Sequence, residues 1–513
     1  MEAKSYEKIP AEKFRFVSGG DRTHDAKLET KPVGYFRDAF RRFCKNKGSI
    51  VGAVIILVLI LYAIIVPFCT PYTVAYNDTY YRFTLPKSHL FAETNFWDGC
   101  SSEALNKQTF DYYYYMGEET GHNAVKNQEY EIKGGLYYFR LDSYQSTGCI
   151  YYNAETWEYE LIQKYQNETG IQVIYPTVKL SDRPQSATMR KDANYYYKTE
   201  TRNGGTQIVY DSDGNIIPVY ASHAVGEPST DNYNSIRIED DGENGVEYEY
   251  ARVTDTGYEL RINYYEYYIF YHSYYLQDGI TEPFFLLGTT QLGQDILTCL
   301  ASGARFSFLF AICVAVVNLI VGAIYGSIEG YYGGKVDLLM ERISDILAAV
   351  PSVIIITLLQ LHMQASSSMV VLFIAFFMTG WIGMASTTRM QFYRYKNQEY
   401  VLAARTLGAK NRRIIWKHIF PNALGTLVTS CALIIPSMIY SEVNLSYLGI
   451  INLSSGSLTS VGTLLAGGQP YLTTFPHIIA FPSVFLALLM LSFNLFGNGL
   501  RDAFNPSLRG TED

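Results

Sequence analysis

The chain has 513 residues, of which 48% are hydrophobic and 18% are charged. This composition excludes a disordered or collagen-like chain and allows a membrane protein. Residues 71–282 carry 16 Lys and Arg against 32 Asp and Glu, whereas the rest of the chain carries 25 against 17. The net charge of −8 therefore averages an acidic segment and basic segments, and we expect these to lie on opposite sides of a membrane.

The first apolar run covers residues 50–68 and has no charged side chain, which predicts a transmembrane helix at 50–69. The preceding segment FRDAFRRFCKNKG (36–48) has five basic residues and one acid. Lys and Arg are enriched in cytoplasmic segments, so residues 1–49 are predicted to be cytoplasmic. A cleaved signal peptide is not expected, because about fifty residues precede the apolar run.

Five further apolar runs cover residues 306–328, 346–362, 369–388, 423–440 and 475–496. Six spans predict an α-helical polytopic membrane protein with a five-helix core at 286–500. Their alternation places 70–285 outside, and the loop 389–422 and the tail 501–513 in the cytoplasm. Residues 389–417 contain eight basic residues and one acid, whereas 443–474 contain no Lys or Arg, which agrees with this topology. The basic residues flank apolar runs, so membrane lipid is an expected partner and nucleic acid is not.

The region 70–285 is predicted to be an inserted α+β domain with many strands. It holds about thirty of the 45 tyrosines, interleaved with β-branched residues and turn signals. Hairpins are expected in 130–141, 206–220 and 235–268. One helix is predicted at 154–166, with Trp157, Leu161 and Tyr165 on one face and Gly170 beyond its end. Cys100 and Cys149 are the two cysteines of this polar region, and they could form a disulfide if it lies outside the cell.

The loop NQEYVLAARTLGAKNRRIIWKHIFPNALG (397–425) is too polar to span a membrane and predicts two short helices. The first covers residues 400–407, and Gly408 then permits a turn or a close backbone approach. The second covers residues 412–420 and ends where Pro421 restarts the chain toward the bilayer. A cytoplasmic helix pair with small residues on one face indicates a docking surface.

This loop resembles the EAA loop of importer-type ABC transporter permeases, in the peptide and nickel importer branch. That pattern is Glu-Ala-Ala, three residues, Gly, nine residues, an apolar position and Leu-Pro, and here Leu402 stands in place of the glutamate. The matching or contextual residues are Tyr400, Ala403, Ala404, Arg405, Gly408, Ala409, His418 and Pro421. Segments 41–52, 287–307, 441–450 and 494–509 are similar to further parts of the C-type oligopeptide and dipeptide permease subunits.

The resemblance implies a type I importer fold and a set of partner chains. These are a second homologous permease, two cytoplasmic ABC ATPase subunits and an extracellular lipid-anchored or soluble peptide-binding protein. ATP and Mg would be bound by the ATPases, and this chain is expected to bind no cofactor or metal and to have no catalytic residue. It contains no G-x-x-x-x-G-K-[ST] phosphate loop, so ATP hydrolysis is expected on partner chains.

Several alternatives remain open from the sequence. The same architecture could import nickel chelates or another small solute, and a membrane receptor or tether that does not transport is the rival of another class. The inserted domain could contact the binding protein or cover the entrance, or it could be a spacer. Glu442, near the outer end of the fifth span, is either a residue of the substrate pathway or gate or an interfacial side chain that reaches water.

Overall fold

The computed structural model describes residues 35–91, 94–202, 205–227, 229, 233–234, 245–363, 368–453 and 459–504. The helices are α1 (Tyr35–Lys45), α2 (Lys47–Cys69), α3 (Lys107–Tyr115), α4 (Thr156–Thr169), α5 (Ala187–Arg190), α6 (Tyr264–Ile269), α7 (Ile296–Tyr332), α8 (Gly334–Ala348), α9 (Ser352–His362), α10 (Ser368–Thr379), α11 (Trp381–Tyr395), α12 (Glu399–Thr406), α13 (Asn411–Arg413), α14 (Phe420–Tyr447), α15 (Val461–Gly468) and α16 (His477–Phe504). Two π-helical segments, Phe270–Leu276 and Ile414–Ile419, continue α6 and α13, and a 3₁₀ turn at Gln469–Tyr471 follows α15.

The apolar helices agree with most of the predicted spans. Five helical stretches in the described part of the chain are long and apolar enough to cross a membrane: Lys47–Cys69, Ile296–Tyr332, Ser368–Tyr395, Asn411–Tyr447 and His477–Phe504. The third predicted span, 346–362, is not one straight helix. It is the second half of a pair, α8 and α9, that bends by 68°. Pro351 lies at the break, where it has no N–H to donate and restricts the residue before it.

Glycines on α7 bring this helix into close contact with α11. A Cβ atom at Gly322 would lie 2.7 Å from Cβ of Met384 and 2.8 Å from the carbonyl oxygen of Trp381. At Gly326 it would overlap the carbonyl oxygen of Ala385, and at Gly330 it would meet Phe392. The three glycines are four residues apart, so they form one stripe along the helix and let the two backbones touch.

At one end of this packed pair, an arginine on α11 joins three helices. The Arg389 guanidinium donates to Asp337 at 2.6 and 3.0 Å and to Glu341 at 2.7 and 3.1 Å, both on α8. Glu329 on α7 lies 3.6 Å from the same group. Tyr393 donates to Asp337 at 2.6 Å. Paired charges with satisfied hydrogen bonds can be held in a partly buried site, so this cluster fixes α8 against the bundle.

The inserted region contains all the strands found in the described residues. They are β1 (Cys100–Leu105), β2 (Val125–Lys133), β3 (Leu136–Asp142), β4 (Cys149–Ala154), β5 (Ile174–Tyr175), β6 (Thr199–Arg202), β7 (Gly205–Ile208), β8 (Ser222–Ala224), β9 (Tyr233–Asn234), β10 (Val246–Tyr248), β11 (Ala251–Thr254) and β12 (Gly257–Asn263). One antiparallel sheet has the order β1-β3-β2, and the largest has the order β4-β12-β11-β9 with β5 also on β12. β6 pairs with β7, and β8 pairs with β10.

The strand predictions hold where hydrophobic alternation meets a clear turn. β2 and β3 form the hairpin predicted through Gly134 and Gly135, and β11 and β12 form a second one inside 235–268. Residues 235–244 of that prediction lie outside the described residues. The expected hairpin at 206–220 is reduced to a bridge between Tyr210 and Ile216, because β7 pairs instead with β6.

The helix predicted at 154–166 is present as α4, and its buried face includes part of the predicted one. Glu158, Tyr159, Ile162, Tyr165 and Gln166 are buried, whereas Trp157 is 47% exposed. Of the predicted face, Tyr165 is buried and Leu161 packs partly buried against the tyrosine-rich core, whereas Trp157 does not belong to the buried side. Gly170 ends the helix in the left-handed conformation, as expected.

The possible disulfide between Cys100 and Cys149 is not formed in this structure. Both residues are free thiols, on β1 and β4 of different sheets. The Cys100 thiol faces the carbonyl oxygen of Asp98, and the Cys149 thiol faces Glu119. Burial raises the pKa of each thiol to about 12, so both stay protonated at neutral pH.

Aromatic residues seat the inserted region on the helical bundle. Phe83 stacks on Phe475 with ring centroids 4.5 Å apart. The Trp97 indole donates to the carbonyl oxygen of Leu286 at 2.5 Å, and Gln294 donates to the carbonyl oxygen of Val74 at 2.7 Å. The insert is therefore held on the end of the bundle by side-chain packing as well as by its two chain connections.

We expect Gly326→Leu to destabilise the bundle, because the larger side chain would force α7 away from α11. Overpacking of this kind costs about 1–3 kcal/mol. The measurement is the temperature at which the protein loses its monodisperse peak in size-exclusion chromatography after heating in detergent. Gly383→Leu on α11 is the matched control, since a Cβ there meets nothing within 4 Å. Equal loss in both variants would contradict the close packing.

Candidate functional site

The predicted docking loop forms a short exposed helix, α12, which ends at a tight turn. Gly408 has φ +81, a left-handed conformation that side chains disfavour. Its N–H donates to the carbonyl of Arg405 at 3.0 Å, and the N–H of Ala409 donates to that of Ala404 at 3.1 Å. These two bonds are those of a Schellman motif, which satisfies carbonyls left free at a helix end. A Cβ at Gly408 would meet nothing within 4 Å, so the glycine is needed for its backbone angle.

One buried side chain anchors α12 to the bundle. Val401 is fully buried in a cluster with Tyr331 of α7, Phe392 of α11 and Ile414 and Ile415 of the π-helical segment. These partners lie at the ends of three membrane-spanning helical stretches, since Ile414 and Ile415 belong to the same one. A displacement of α12 would therefore press on three spans at once.

The opposite face of α12 is open and carries small and apolar groups. Ala403 and Arg405 are exposed, and Ala404 and Ala409 are half-buried. Tyr400 is 40%, Leu402 is 44% and Leu407 is 88% exposed. Leu407 thus projects almost freely beside the turn, where it is accessible to another protein surface.

Hydrogen bonds tie this loop to the start of the fifth span. Asn422 donates to the Tyr400 hydroxyl at 3.2 Å and to the carbonyl oxygen of His418 at 2.8 Å. The Tyr331 hydroxyl donates to the Asn411 side chain at 2.8 Å. The Arg405 guanidinium lies 6.0 Å from the Tyr331 ring, at the limit of a cation–π contact.

The predicted restart of the chain at Pro421 is wrong. Residues 411–447 form one continuous helical stretch, with π-helical turns at 414–419 directly before Pro421. Proline has no N–H to donate, and a local change to wider π turns is one way in which a helix passes such a position. The half-buried His418 and the exposed Pro421 therefore lie on one helix that continues into the membrane span.

Glu442 does not reach water as an interfacial side chain would. It is fully buried, and its carboxylate accepts from Ser307 of α7 at 2.8 Å and from Ser446 at 3.2 Å. Ser446 also lines a polar cavity of about 380 Å³, together with Gln291, Asn452 and Thr463. The carboxylate thus lies behind the wall of a cavity at the insert-facing end of the bundle.

Two family models match the helical parts of the chain. Residues 318–510 match the binding-protein-dependent transport system inner membrane component, and residues 34–86 match the N-terminal transmembrane domain of oligopeptide transport permease C. The oligopeptide transport system permease protein OppC of Bacillus subtilis (strain 168) is 44% identical over 222 residues, which are 43% of this chain and 72% of that protein. The chain belongs to the family of binding-protein-dependent transport permeases that includes OppC.

Other relatives of the permease have the same pattern of coverage. The dipeptide transport system permease protein DppC of Bacillus subtilis (strain 168) is 37% identical over 43% of this chain and 68% of its own. The OppC protein of Escherichia coli (strain K12) is 37% identical over 43% of this chain and 72% of its own. Residues 87–317, which include most of the insert, lie between the two family matches.

Some features of the site were not found from the sequence. In the sequence Arg389 is one of several basic loop residues, and nothing there indicates that it holds α8 to the bundle. The pattern predicts Leu407 as the last residue of a helix and does not indicate that it is the most exposed apolar side chain of the loop. A leucine placed directly before the turn glycine was the available signal, but its exposure depends on how α12 packs through Val401.

We expect Val401→Ala to loosen α12 without unfolding the bundle, because Val401 is its one fully buried side chain. Amide hydrogen exchange of residues 399–407, measured by mass spectrometry, should become about tenfold faster or more, which corresponds to about 1.4 kcal/mol. Leu402→Ala is the control on the exposed face and should leave exchange unchanged. Unchanged exchange in Val401→Ala would contradict the anchoring role.

Proposed function

We propose that this chain is a permease subunit of an ATP-driven ABC importer that moves oligopeptides or dipeptides across a bacterial cytoplasmic membrane. The observation that carries the proposal is α12, an open helix with an exposed Leu407 that is anchored through Val401 on the ends of three spans. This is a suitable geometry for a helix that docks on a motor protein. The peptide cargo is supported by relatives that are named as oligopeptide and dipeptide permeases.

The proposed complex contains a second homologous permease, two cytoplasmic ATPases that bind ATP and Mg, and an extracellular peptide-binding protein. In this complex α12 docks in a groove of one ATPase, with Ala403, Ala404 and Gly408 allowing a close approach. Basic side chains around the helix favour an acidic partner surface. When the ATPases close, the movement of α12 passes through Val401 to α7, α11 and α14, and the bundle changes between outward and inward access.

The proposed orientation follows the basic residues of the helical part. Both chain ends and the loop 389–422 lie in the cytoplasm, and the insert at 70–285 lies outside. This places the insert at the side where the binding protein delivers cargo. The seating of Phe83 on Phe475 and of Trp97 on Leu286 supports an insert that shapes the entrance and does not hang from a loose tether.

Glu442 is proposed to act as a gate residue by holding helices together and not by touching substrate. Its carboxylate joins α14 to Ser307 of α7 and contacts Ser446 at the wall of the polar cavity. Opening of the bundle at this end would separate these groups. A buried acid with only hydroxyl partners is costly to rearrange, which favours one defined closed state.

We expect Leu407→Asp to weaken assembly with the ATPases by at least tenfold, because a charge would enter an apolar contact. The assay is co-purification of the ATPases with the tagged permease in mild detergent, together with uptake of a labelled tripeptide by cells. Leu90→Asp in the insert is the matched control, since Leu90 is also 88% exposed. Normal assembly and uptake in Leu407→Asp would contradict the docking role of α12.

The proposed orientation of the chain in the membrane can be tested with cysteines at positions 90 and 407. In intact cells, a membrane-impermeant maleimide should label Leu90→Cys above the parent chain, and should label Leu407→Cys only after the cells are opened. The equal exposure of the two leucines makes the labelling rates comparable. Labelling of Leu407→Cys in intact cells, or protection of Leu90→Cys, would show that the orientation is reversed.

A further inference from the structure

Six tyrosines of the inserted region surround one cavity of about 170 Å³. They are Tyr76, Tyr152, Tyr264, Tyr267, Tyr268 and Tyr271. They come from the segment after α2, from β4, and from α6 with its π-helical continuation. A space of this size holds roughly five water molecules, so it fits one small chemical group and not a whole peptide.

Buried carboxylates lie behind the tyrosine hydroxyls. Asp78 is 3% exposed and accepts from Tyr264 at 2.7 and 2.8 Å and from Tyr76 at 3.2 Å. Glu158 is 7% exposed and accepts from Tyr267 at 2.7 Å and from Tyr152 at 2.9 Å. Thus four of the six lining side chains donate to a carboxylate.

Among the described residues, neither Asp78 nor Glu158 forms an ion pair with Lys, Arg or His. His272 contacts one of the lining tyrosines, with its Nε2 2.9 Å from the Tyr76 hydroxyl. Its Nδ1 lies 2.7 Å from Asp278, so this histidine has a carboxylate partner of its own. Asp78 also accepts from the backbone N–H groups of Tyr80 and Tyr81 at 2.8 and 3.0 Å, so within the described part of the chain hydrogen bonds alone hold the two carboxylates. A positive group in the cavity would add the charge partner that these hydrogen bonds do not supply.

The tyrosines themselves stay neutral at physiological pH. Burial raises the pKa of Tyr152 to about 12, and burial raises the pKa of Tyr264, Tyr267 and Tyr268 above the ordinary value of tyrosine. Neutral phenols keep donating to the carboxylates, and the faces of their rings are electron-rich. A cavity walled by such rings attracts cations.

We propose that this tyrosine cavity binds a small organic ammonium group in the extracellular insert. The rings supply cation–π contacts, and Asp78 and Glu158 supply the compensating charge behind them. The group could belong to a free amine, to the amino terminus or a lysine side chain of a peptide, or to a choline headgroup. The shared chemistry is a positively charged nitrogen with a small apolar envelope.

The cavity lies near the junction of the insert with the bundle. Tyr76 follows α2 by seven residues, and the backbone of Asp78 packs directly against Gly293, just before α7. Gln294 donates to Val74 and also lines the polar cavity beside Glu442. An occupied tyrosine cavity would thus stabilise the segment 74–78 on which the mouth of the bundle rests.

The test is titration calorimetry of the purified full-length chain in nanodiscs with choline and with 3,3-dimethylbutan-1-ol, its neutral carbon isostere. We expect choline to bind at least tenfold more tightly than the neutral alcohol, because shape and apolar area are equal and only the charge differs. Ethylammonium chloride tests whether a primary ammonium is accepted. Equal binding of choline and the alcohol, or no binding of choline or ethylammonium, would overturn the proposal.

Single substitutions test whether choline binds in the tyrosine cavity, and whether this binding is independent of the proposed transport function. Tyr271→Leu should weaken choline binding about tenfold, Tyr271→Phe should keep most of it, and Glu158→Gln should weaken it at least threefold. Tyr275→Leu, one turn further along the same π-helical segment and 42% exposed, is the matched control and should stay within twofold. Equal affinity in Tyr271→Leu and Tyr275→Leu would overturn the assignment. Choline binding should persist in Leu407→Asp, so this inference and the transport proposal can fail separately.

Discussion

Where Gly322, Gly326 and Gly330 face α11, the two helices are close enough for backbone atoms to touch, and the site at the loop end depends on this approach. It places Arg389 of α11 beside Glu329 of α7, so that one guanidinium can also hold the two acids of α8. In a bilayer, where burial of apolar surface gives no driving force between helices, such close packing is the main source of association.

The same packed pair of helices supports α12, the helix proposed to dock on a partner. Tyr331 and Phe392 are neighbours of these glycine contacts, and together with Ile414 and Ile415 they enclose Val401. The exposed face of α12 is therefore mobile only as far as the spans beneath it move. A helix with this anchorage can transmit a displacement, whereas an equally exposed helix on a flexible linker would absorb it.

The inserted region adds a second, chemically distinct end to the molecule. Its tyrosines make a core of rings whose hydroxyls need partners, and buried carboxylates such as Asp78 and Glu158 provide them. These buried carboxylates place negative charge inside the insert, near the segment 74–78, which contacts Gly293 and Gln294. The helix α12 and the tyrosine cavity thus lie at opposite ends of a bundle whose helices connect them.

Sequence alone predicted five of the six apolar spans, the presence of strands in the insert and the position of the α12 loop, because hydrophobic runs of fixed length, alternation and a short motif are local properties. It placed Gly408 at a turn for the same reason. It did not determine the bend at Pro351, the continuous helix through Pro421, the buried face of α4 or the free thiols of Cys100 and Cys149. Those features depend on which distant residues meet. Glu442 is buried where α14 packs against Ser307 of α7, and Leu407 is exposed on the side of α12 opposite the buried Val401. The tyrosine cavity forms where three separate segments of the insert converge. Only the tertiary structure decides such contacts, since their energies come from packing between residues far apart in the chain.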